Sequence, residues 1–425
     1  MSSKENIGRR VIERAAVRWF QWRGDPVARL LKSETKANPY PLYDEMRRRA
    51  LLRSPLGTWT TANYDTASTV LRDRRWSSSP KHQKGYQPKN YPSGDPRSEL
   101  PTADLLTMDP PDHTRLRRLL SGTFSPKAID SFEPWIRETV DRLLVQVDPL
   151  QEFDLIEAVA YPLPLAVICR LLGVPAQDRE RLRAWGQRLA TTLEPTSAPD
   201  AEIRTRSSEL ALASYLRDLI HTRRSDPDES LLSSLIAAEE NGETLSMDEL
   251  VSTASLLLVA GFETTTNLIG NGTVELVTRP SLWQQLVTDP GGIPGAIEEI
   301  LRFESPVQIT SRTATEDLEL AGETIRQGES IVVAIGGANR DPATFERPDE
   351  LDLARANASG HLAFSLGAHH CLGAALARLE AKIVFEELTH RFPRLHIATP
   401  PSRRPLLVLR GYEHVGVSAA HEPPH

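Results

Sequence analysis

The chain has 425 residues and a formal net charge of −7, a balance that gives no indication of nucleic-acid binding. Its two cysteines, Cys169 and Cys371, argue against a disulfide framework and fit a reducing compartment. No segment approaches the roughly 18 consecutive apolar residues of a membrane-spanning helix. Arginines interrupt the apolar residues of the N-terminal segment, which argues against a signal peptide. These features predict a cytoplasmic protein without a transmembrane segment.

The chain carries no Gly/Ser tract, long charge block or repeat that would divide it, so we expect one large domain over residues 38–418. Residues 1–37 form an N-terminal extension that mixes arginines with apolar residues. That mixture could form an amphipathic helix that touches a membrane, but it favours a soluble helix packed on the body of the protein. The tail 419–425 is expected to be disordered.

The first third of the chain predicts short elements followed by a long loop. Residues 51–61 predict a pair of strands, and Asn63 is a suitable N-cap for a helix through Val70. Residues 77–102 are polar and show no periodicity, and a loop of that length is usually functional or mobile. Residues 125–240 then show the apolar spacing of a series of amphipathic helices.

The segment 109–112, Asp-Pro-Pro-Asp, predicts the start of a helix that carries His113 and Arg117. These two side chains are four residues apart and share one helical face. Two donors on one face suit a ligand with two negative charges. Taken alone, however, such a pair is more often a solvated basic surface.

A long helix is predicted from the capping box at Ser246 and Glu249 to about Thr278. In its middle, the Thr264 hydroxyl can bond the carbonyl of residue 260 and open the helical ladder locally. Gly261 would leave room over a flat ligand, and Glu263 could pass protons inward from solvent. Without further context, threonines in a buried helix mostly serve packing.

The last third predicts an ion pair, several strands and a hairpin. Glu299 and Arg302 have the i,i+3 spacing of a helical ion pair, which is commonplace on protein surfaces. Strands are predicted at 318–320, 324–325 and 331–335. A C-terminal hairpin is predicted from residues 406–409 and 415–417, which flank Gly411.

Residues 364–373, Phe-Ser-Leu-Gly-Ala-His-His-Cys-Leu-Gly, lead directly into a helical pattern over 374–388. Cys371 therefore lies at the start of a helix, where free N–H groups and the helix dipole stabilise a thiolate, a soft metal ligand. A lone cysteine is more often a small buried apolar residue. Its flanking residues decide between these two interpretations.

The stretch resembles the haem-binding loop of bacterial cytochrome P-450 monooxygenases, Phe-Gly-x-Gly-x-His-x-Cys-x-Gly. Phe364, Gly367, His369, Cys371 and Gly373 match it, and Ser365 replaces the first glycine, from which we expect an altered turn but no loss of haem. Further matches extend the resemblance over almost the whole chain. It implies a mainly α fold with a smaller β region, shaped like a triangular prism.

The resemblance also implies roles for individual residues. Cys371 would be the axial thiolate ligand of haem b, with Phe364 and Gly261 beside the cofactor. Thr264 and Glu263 match the family's oxygen-activating alcohol and acid, which deliver protons. Residues 77–102 correspond to the variable loop over the substrate pocket. The four residues that would bind the haem propionates are His113, Arg117, Arg312 and His369. Arg347 would complete the family's buried network with Glu299 and Arg302.

The implied reaction inserts one oxygen atom from O2 into a C–H or C=C bond of an apolar small molecule. The electrons would come from a ferredoxin and an NAD(P)H-dependent ferredoxin reductase. Three alternatives remain open at this point. The haem could catalyse oxidative coupling or ring closure without oxygen insertion, peroxide could drive the reaction, or the protein could be a haem sensor without turnover. The presence of Glu263 and Thr264 argues against the peroxide-driven alternative.

Overall fold

The computed structural model describes residues 17–88, 95, 100–101, 104–148, 151–194, 199–240 and 243–419. The expected disorder of 420–425, most of the expected N-terminal helix and parts of the loop 77–102 lie outside these residues. Among the helices that are described, none is long and apolar enough to cross a membrane. The α-helices are α1 (Pro26–Leu30), α2 (Ser33–Ala37), α3 (Tyr40–Arg47), α4 (Tyr64–Arg72), α5 (Asp112–Ser121), α6 (Pro126–Leu144), α7 (Pro162–Leu172), α8 (Arg179–Ala190), α9 (Pro199–Ser225), α10 (Leu231–Ala237), α11 (Met247–Val277), α12 (Pro280–Thr288), α13 (Ile293–Phe303), α14 (Ile335–Ala338) and α15 (Ala374–Arg391).

The described strands are two to six residues long, and most lie before residue 80 or after residue 308. The largest sheet has five strands in the order β1 (Leu52–Arg53), β2 (Thr58–Thr61), β10 (Ser330–Ala334), β7 (Ile309–Ala314) and β3 (Trp76–Ser77), with β2 and β10 parallel and the other pairs antiparallel. The fold is therefore mainly α with a smaller β region, as the sequence predicts. The strands are β1 (Leu52–Arg53), β2 (Thr58–Thr61), β3 (Trp76–Ser77), β4 (Phe153–Asp154), β5 (Glu239–Glu240), β6 (Glu243–Thr244), β7 (Ile309–Ala314), β8 (Leu318–Leu320), β9 (Glu323–Ile325), β10 (Ser330–Ala334), β11 (His396–Ile397), β12 (Ser402–Arg403), β13 (Tyr412–His414) and β14 (Gly416–Ser418).

Helix α11 is the central element of the helical region. It begins at the predicted capping box, in which the Ser246 and Glu249 side chains bond each other's backbone N–H. At 1.5 Å per residue its 31 residues span about 46 Å. A Cβ at Gly272 would lie 2.6 Å from the Phe385 ring, so this glycine allows α11 and α15 to pack closely. The result is a buried helix that contacts most of the core.

A buried ion network joins α13 to the segment 346–355. Glu299 and Arg302 are both fully buried, and the carboxylate accepts bonds of 2.7 Å from Nε and Nη2 of Arg302. The third member is Arg355, whose Nε lies 3.1 Å from both carboxylate oxygens of Glu299. The expectation that Arg347 fills this place is wrong, because the Arg347 side chain is 61% exposed and pairs with Glu350. Both arginines lie in the same turn region, and only the backbone path decides which points inward.

The C-terminal hairpin also differs from the prediction. Its strands are β12 and β13, so residues 402–403 take the place predicted for 406–409. Strand β14 pairs instead with β11 and β4. Leu409 makes a single bridge to Val307, and backbone bonds join the segment 408–410 to residues 306 and 308. The segment 404–411 therefore runs between β7 and α11 as an irregular strap.

The turn before the Cys371 helix contains a strained residue. Ser365 has φ 58°, a left-handed conformation that glycine adopts freely and that other residues adopt at a cost of roughly 1–2 kcal/mol. Its hydroxyl is buried and has no partner among the described residues. The turn keeps a glycine-like backbone although the sequence supplies serine.

We predict that Arg355→Ala destabilises the protein by about 3 kcal/mol, because it leaves part of the Glu299 charge buried without a partner. Arg347→Ala, the matched control, should change stability by less than about 0.5 kcal/mol because its side chain is mostly exposed. Denaturant unfolding of both variants and the parent measures the difference. Equal losses in the two variants would contradict the assignment of Arg355.

We also predict that Ser365→Gly raises the free energy of unfolding by about 0.5–1 kcal/mol, since relief of backbone strain exceeds the entropy that glycine adds to the unfolded chain. The thermal unfolding midpoint should rise by about 0.5–1 °C. Ser365→Ala is the control, because alanine keeps the left-handed strain but removes the buried hydroxyl. An equal gain in both variants would assign the effect to the hydroxyl and not to the backbone.

Candidate active site

Cys371 lies in a short loop that its own backbone holds in place. The Cys371 N–H donates to the Phe364 carbonyl at 2.8 Å, and residues 367–369 form a single 3₁₀ turn between them. The Cys371 side chain is accessible but lies in a recess, where desolvation raises the pKa of its thiol. The backbone N–H of Gly373 and the nearby Arg117 oppose this effect without overcoming it. Desolvation therefore opposes the thiolate that the sequence predicts, whereas the Gly373 N–H and Arg117 favour it.

A second carboxylate of α13, that of Glu298, stabilises the Cys371 loop through contacts with residues on both sides of it. Glu298 receives bonds of 2.6 and 2.9 Å from Arg378 on α15, and His361 Nε2 lies 3.3 Å from the same carboxylate. These hydrogen bonds and charges lower the pKa of Glu298 to about 2 although burial opposes them. The Arg378 guanidinium also lies 4.6 Å from the centre of the Phe364 ring. Phe364 thus supports the loop through both its carbonyl and its ring. No sequence motif indicates a role for Glu298 or Arg378.

Four predicted site residues gather near the Cys371 loop. The rings of His113 (α5) and His369 lie 4.3 Å apart, and Arg117 donates to the His370 carbonyl at 2.7 Å. Burial, Arg312 and His113 together lower the pKa of His369 to about 3. Burial lowers the pKa of Arg312 to about 10. The structure therefore brings together His113, Arg117, Arg312 and His369, which the sequence places in three distant segments.

Arg117 and Arg312 bring two positive charges to this cluster, whereas burial lowers the pKa of His113 and His369 and so favours their neutral forms. Arg312 is 6% exposed and donates to two neutral oxygens, Thr310 Oγ1 at 3.1 Å and the Ser311 carbonyl at 2.7 Å. His113 is 2% exposed, and its Nε2 finds no hydrogen-bond partner in the part of the chain that the structure describes. Asp109 is the carboxylate whose charge reaches both residues. Buried donors of this kind suit a ligand with more than one negative charge, as the two propionates of a haem would supply.

The middle of α11 exposes one narrow face among buried residues. Ala260 is exposed and Thr264 half-buried, whereas Phe262 and Glu263 beside them are fully buried. Thr264 Oγ1 donates to the Ala260 carbonyl at 2.8 Å, the bond that the sequence predicts. Gly261 differs from the expectation. A Cβ there would lie 3.2 Å from Ile168 of α7, so Gly261 serves helix packing and the accessible position is Ala260.

Glu263 is fully buried, so its carboxylate does not meet solvent directly. Its carboxylate pairs with Arg404 of the strap, and its second oxygen, Oε1, has no partner among the described residues. Burial raises the pKa of Glu263 although Arg404 opposes it. The sequence does not predict this pair, because Arg404 lies 141 positions after Glu263 and no motif links them.

The strap that carries Arg404 is fastened at a second point. The Glu194 carboxylate accepts bonds from the backbone N–H groups of Leu407 at 2.8 Å and Val408 at 2.7 Å. Lys36 Nζ lies 3.4 Å from the same carboxylate. Glu194 ends a 3₁₀ turn after α8, so a single side chain joins three parts of the chain. These contacts hold the strap in a defined position beside β7.

Comparison with known proteins gives consistent matches along the chain. Residues 61–289 and 293–409 match the family model described as Cytochrome P450. The biotin biosynthesis cytochrome P450 of Bacillus subtilis is 37% identical over 393 residues, which cover 91% of this chain and 97% of that protein. The vitamin D(3) 25-hydroxylase of Pseudonocardia autotrophica is 40% identical over 369 residues, or 85% of this chain and 88% of that protein.

The same result holds for solved structures. The ligand-free structure of CYP164A2 from Mycobacterium smegmatis superposes with a TM-score of 0.85 at 38% identity, over 92% of this chain and 99% of that one. The family model covers most of the chain, and the relatives exceed 30% identity over nearly their whole length. The protein therefore belongs to the cytochrome P450 family and is a monooxygenase of that family.

Proposed function

We propose that this protein binds one haem b through the Cys371 thiolate and inserts one oxygen atom from O2 into a C–H or C=C bond of an apolar small molecule. When bound, the haem supplies dioxygen activation, which is the chemistry of the cofactor itself. The observation that carries the proposal is the accessible Cys371 thiol beside a partly buried cluster of two arginines and two histidines, in which Arg312 pairs with no described carboxylate. A metal ion at the thiol would favour its ionised form and so oppose the desolvation that raises the pKa of the thiol.

His113, Arg117, Arg312 and His369 would bind the two propionates. His113 offers an unpartnered Nε2, and Arg312 holds a buried charge that no described carboxylate contacts within salt-bridge distance. Two propionates would offset that charge and satisfy these donors. They would also oppose the effect of Arg312 on His369, so we expect the pKa of His369 to be higher in the loaded protein.

Thr264 and Glu263 would manage the protons of the reaction. The Thr264 hydroxyl can release its bond to the Ala260 carbonyl and donate toward the open face of α11. Glu263 has a raised pKa and so can hold a proton on Oε1 nearer to neutral pH than an ordinary glutamate. Arg404 keeps the other oxygen in a fixed position.

The apolar substrate and the electron donors complete the proposal. One relative is named as a vitamin D(3) 25-hydroxylase, and vitamin D is an apolar small molecule, which supports this substrate class without identifying the compound. We propose a ferredoxin and an NAD(P)H-dependent ferredoxin reductase as the electron donors. Specificity would reside in the loop 77–102, in part outside the described residues, and in the strap.

We predict that Cys371→Ala abolishes the far red-shifted Soret band of the reduced, carbon monoxide-treated protein, because alanine cannot ligate iron through sulfur. The absorption spectrum of the wild type measures thiolate ligation directly. Cys169→Ala is the matched control and should leave the band unchanged, since Cys169 is buried in the apolar core. A wild-type spectrum typical of histidine ligation would contradict the assignment.

We predict that wild-type turnover under labelled dioxygen places one labelled oxygen atom in the product. In Thr264→Ala, most of the consumed NAD(P)H should instead go to hydrogen peroxide, because the alcohol that donates to the open face of α11 is lost. A loss of about a hundredfold in product formed per NAD(P)H is expected, which is the lower end of the contribution of a positioned proton donor. Mass spectrometry of the product and a peroxide assay provide both measurements. An unlabelled wild-type product would establish oxidative coupling instead, and unchanged coupling in Thr264→Ala would remove Thr264 from the mechanism.

A further inference from the structure

The helical residues 17–22, which precede α1, carry aromatic side chains on their solvent side. Trp19 is 52% exposed and Trp22 is 80% exposed, the highest value among the large apolar side chains of the described residues. The two tryptophans are three residues apart and so are neighbours on the helix surface. Apolar side chains that are exposed singly are normal, whereas a cluster of large ones marks an interaction site.

Two arginines flank this pair of tryptophans. Arg18 and Arg23 are both exposed, and the guanidinium carbon of Arg23 lies 5.2 Å from the centre of the Trp19 ring. Consecutive helical residues point about 100° apart, so Trp22 and Trp19 occupy the middle of the exposed arc and the arginines its two edges. These four residues form what we call the aromatic–arginine face.

The backbone holds this face in a defined orientation. The helix ends in a Schellman motif, in which Gly24 has φ 81° and the N–H of Asp25 donates to the Phe20 carbonyl at 3.0 Å. The Asp25 side chain then accepts a 2.7 Å bond from the N–H of Ala28, which begins α1. The Gln21 amide also donates to the Ala28 carbonyl at 3.0 Å. Because Ala28 is fully buried, the face is fixed to the body of the protein through α1.

The N-terminal segment is positively charged in an otherwise acidic protein. Residues 1–24 contain six basic and two acidic side chains, whereas the whole chain has a formal net charge of −7. The rest of the chain would therefore be repelled by an anionic surface, and this segment would be attracted to it. The charge around the aromatic–arginine face is complementary to an anionic partner.

The size of the face distinguishes a lipid surface from a protein partner. At these exposures the two tryptophans present about 300 Å² of surface to solvent. A stable protein–protein contact buries about 800 Å² on each partner. A bilayer needs no matching groove, because indole rings reside at the level of the headgroups and guanidinium groups bind lipid phosphates. Aromatic residues bordered by basic ones are typical of helices that lie in the bilayer interface.

We propose that the aromatic–arginine face binds the surface of an anionic phospholipid bilayer, with Trp19 and Trp22 among the headgroups and Arg18 and Arg23 on the phosphates. This contact is peripheral and leaves the body of the protein outside the bilayer. The binding rests on the geometry and charge of the N-terminal segment alone. Its benefit rests on the proposed function, since an apolar substrate dissolves in the bilayer and is concentrated where the protein is bound.

The first test measures sedimentation of the full-length, haem-loaded protein with vesicles. Equimolar phosphatidylglycerol and phosphatidylcholine should bind the wild type, and pure phosphatidylcholine should bind it much less. Trp19→Ala/Trp22→Ala should lower the partition coefficient on the anionic vesicles by about tenfold or more, because the apolar contact is lost. Arg18→Gln/Arg23→Gln should lower it by about twentyfold, since each basic residue at an anionic surface contributes about fivefold in affinity.

Matched controls lie on other elements. Val145 is 69% exposed at the end of α6, and the Arg347 side chain is 61% exposed. Val145→Ala and Arg347→Gln should bind the anionic vesicles as the wild type does. Unchanged binding in the tryptophan double variant, or equal losses in the controls, would overturn the proposal. Wild-type binding that is no stronger to anionic than to neutral vesicles would also overturn it.

Hydrogen exchange provides a second test, because it locates the contact. Backbone amides of residues 18–23 should exchange more slowly on anionic vesicles than in the free protein, whereas those of the β8–β9 hairpin should be unaffected. Protection that is absent at 18–23 would overturn the proposal. A dimer in light scattering without vesicles, abolished by Trp19→Ala/Trp22→Ala, would do so as well, since the face would then bind a second copy of the chain.

None of these measurements involves turnover, so they are independent of the proposed function. The Soret band of the reduced, carbon monoxide-treated protein should be the same in the wild type and in all of these variants. A wild-type band typical of histidine ligation would contradict haem-thiolate binding and leave the lipid contact standing. Absence of vesicle binding with an intact thiolate band would contradict only the lipid contact.

Discussion

The position of Cys371 depends on two adjacent carboxylates of α13. Consecutive helical residues point about 100° apart, so Glu298 and Glu299 reach different segments. Glu298 contacts Arg378 and His361, one on each side of the Cys371 loop, and Glu299 holds Arg302 and Arg355. Burial of such charges is tolerable only with complete pairing, and loss of one partner leaves a costly unpaired charge. Helix α13 therefore fixes the thiol without touching it.

The charged groups differ between the two sides of the site, the Cys371 loop and the middle of α11. On the Cys371 side, burial lowers the pKa of His369, and the charge of Arg312 lowers it further. On the α11 side, Glu263 is buried with a raised pKa and a single arginine partner. The first end favours a bound anion, and the second favours a group that holds a proton. The arrangement fits a cofactor with anionic edges on one side and proton transfer on the other.

Local features could be predicted from the sequence because they depend on spacing alone. The Ser246–Glu249 capping box, the Thr264 bond to residue 260 and the Glu299–Arg302 pair are all set by helical periodicity. Long-range partners could not be predicted in this way. Arg347 and Arg355 have the same chemistry, and only the fold of their turn directs Arg355 inward. The pairing of Glu263 with Arg404 likewise depends on the irregular path of the strap. The sequence pattern instead predicts a hairpin strand at 406–409, whereas the hairpin strand lies at 402–403.

The geometry of α11 also constrains how its acid and alcohol can cooperate. Glu263 and Thr264 are adjacent, so their side chains leave the helix about 100° apart. Glu263 faces the strap, whereas Thr264 lies on the face that Ala260 opens. A proton held on Glu263 Oε1 therefore cannot reach the Thr264 hydroxyl without rotation of the glutamate or a bridging water. Rotation would break the Arg404 pair inside the protein, which is expensive for a buried charge. A bridging water requires no such break.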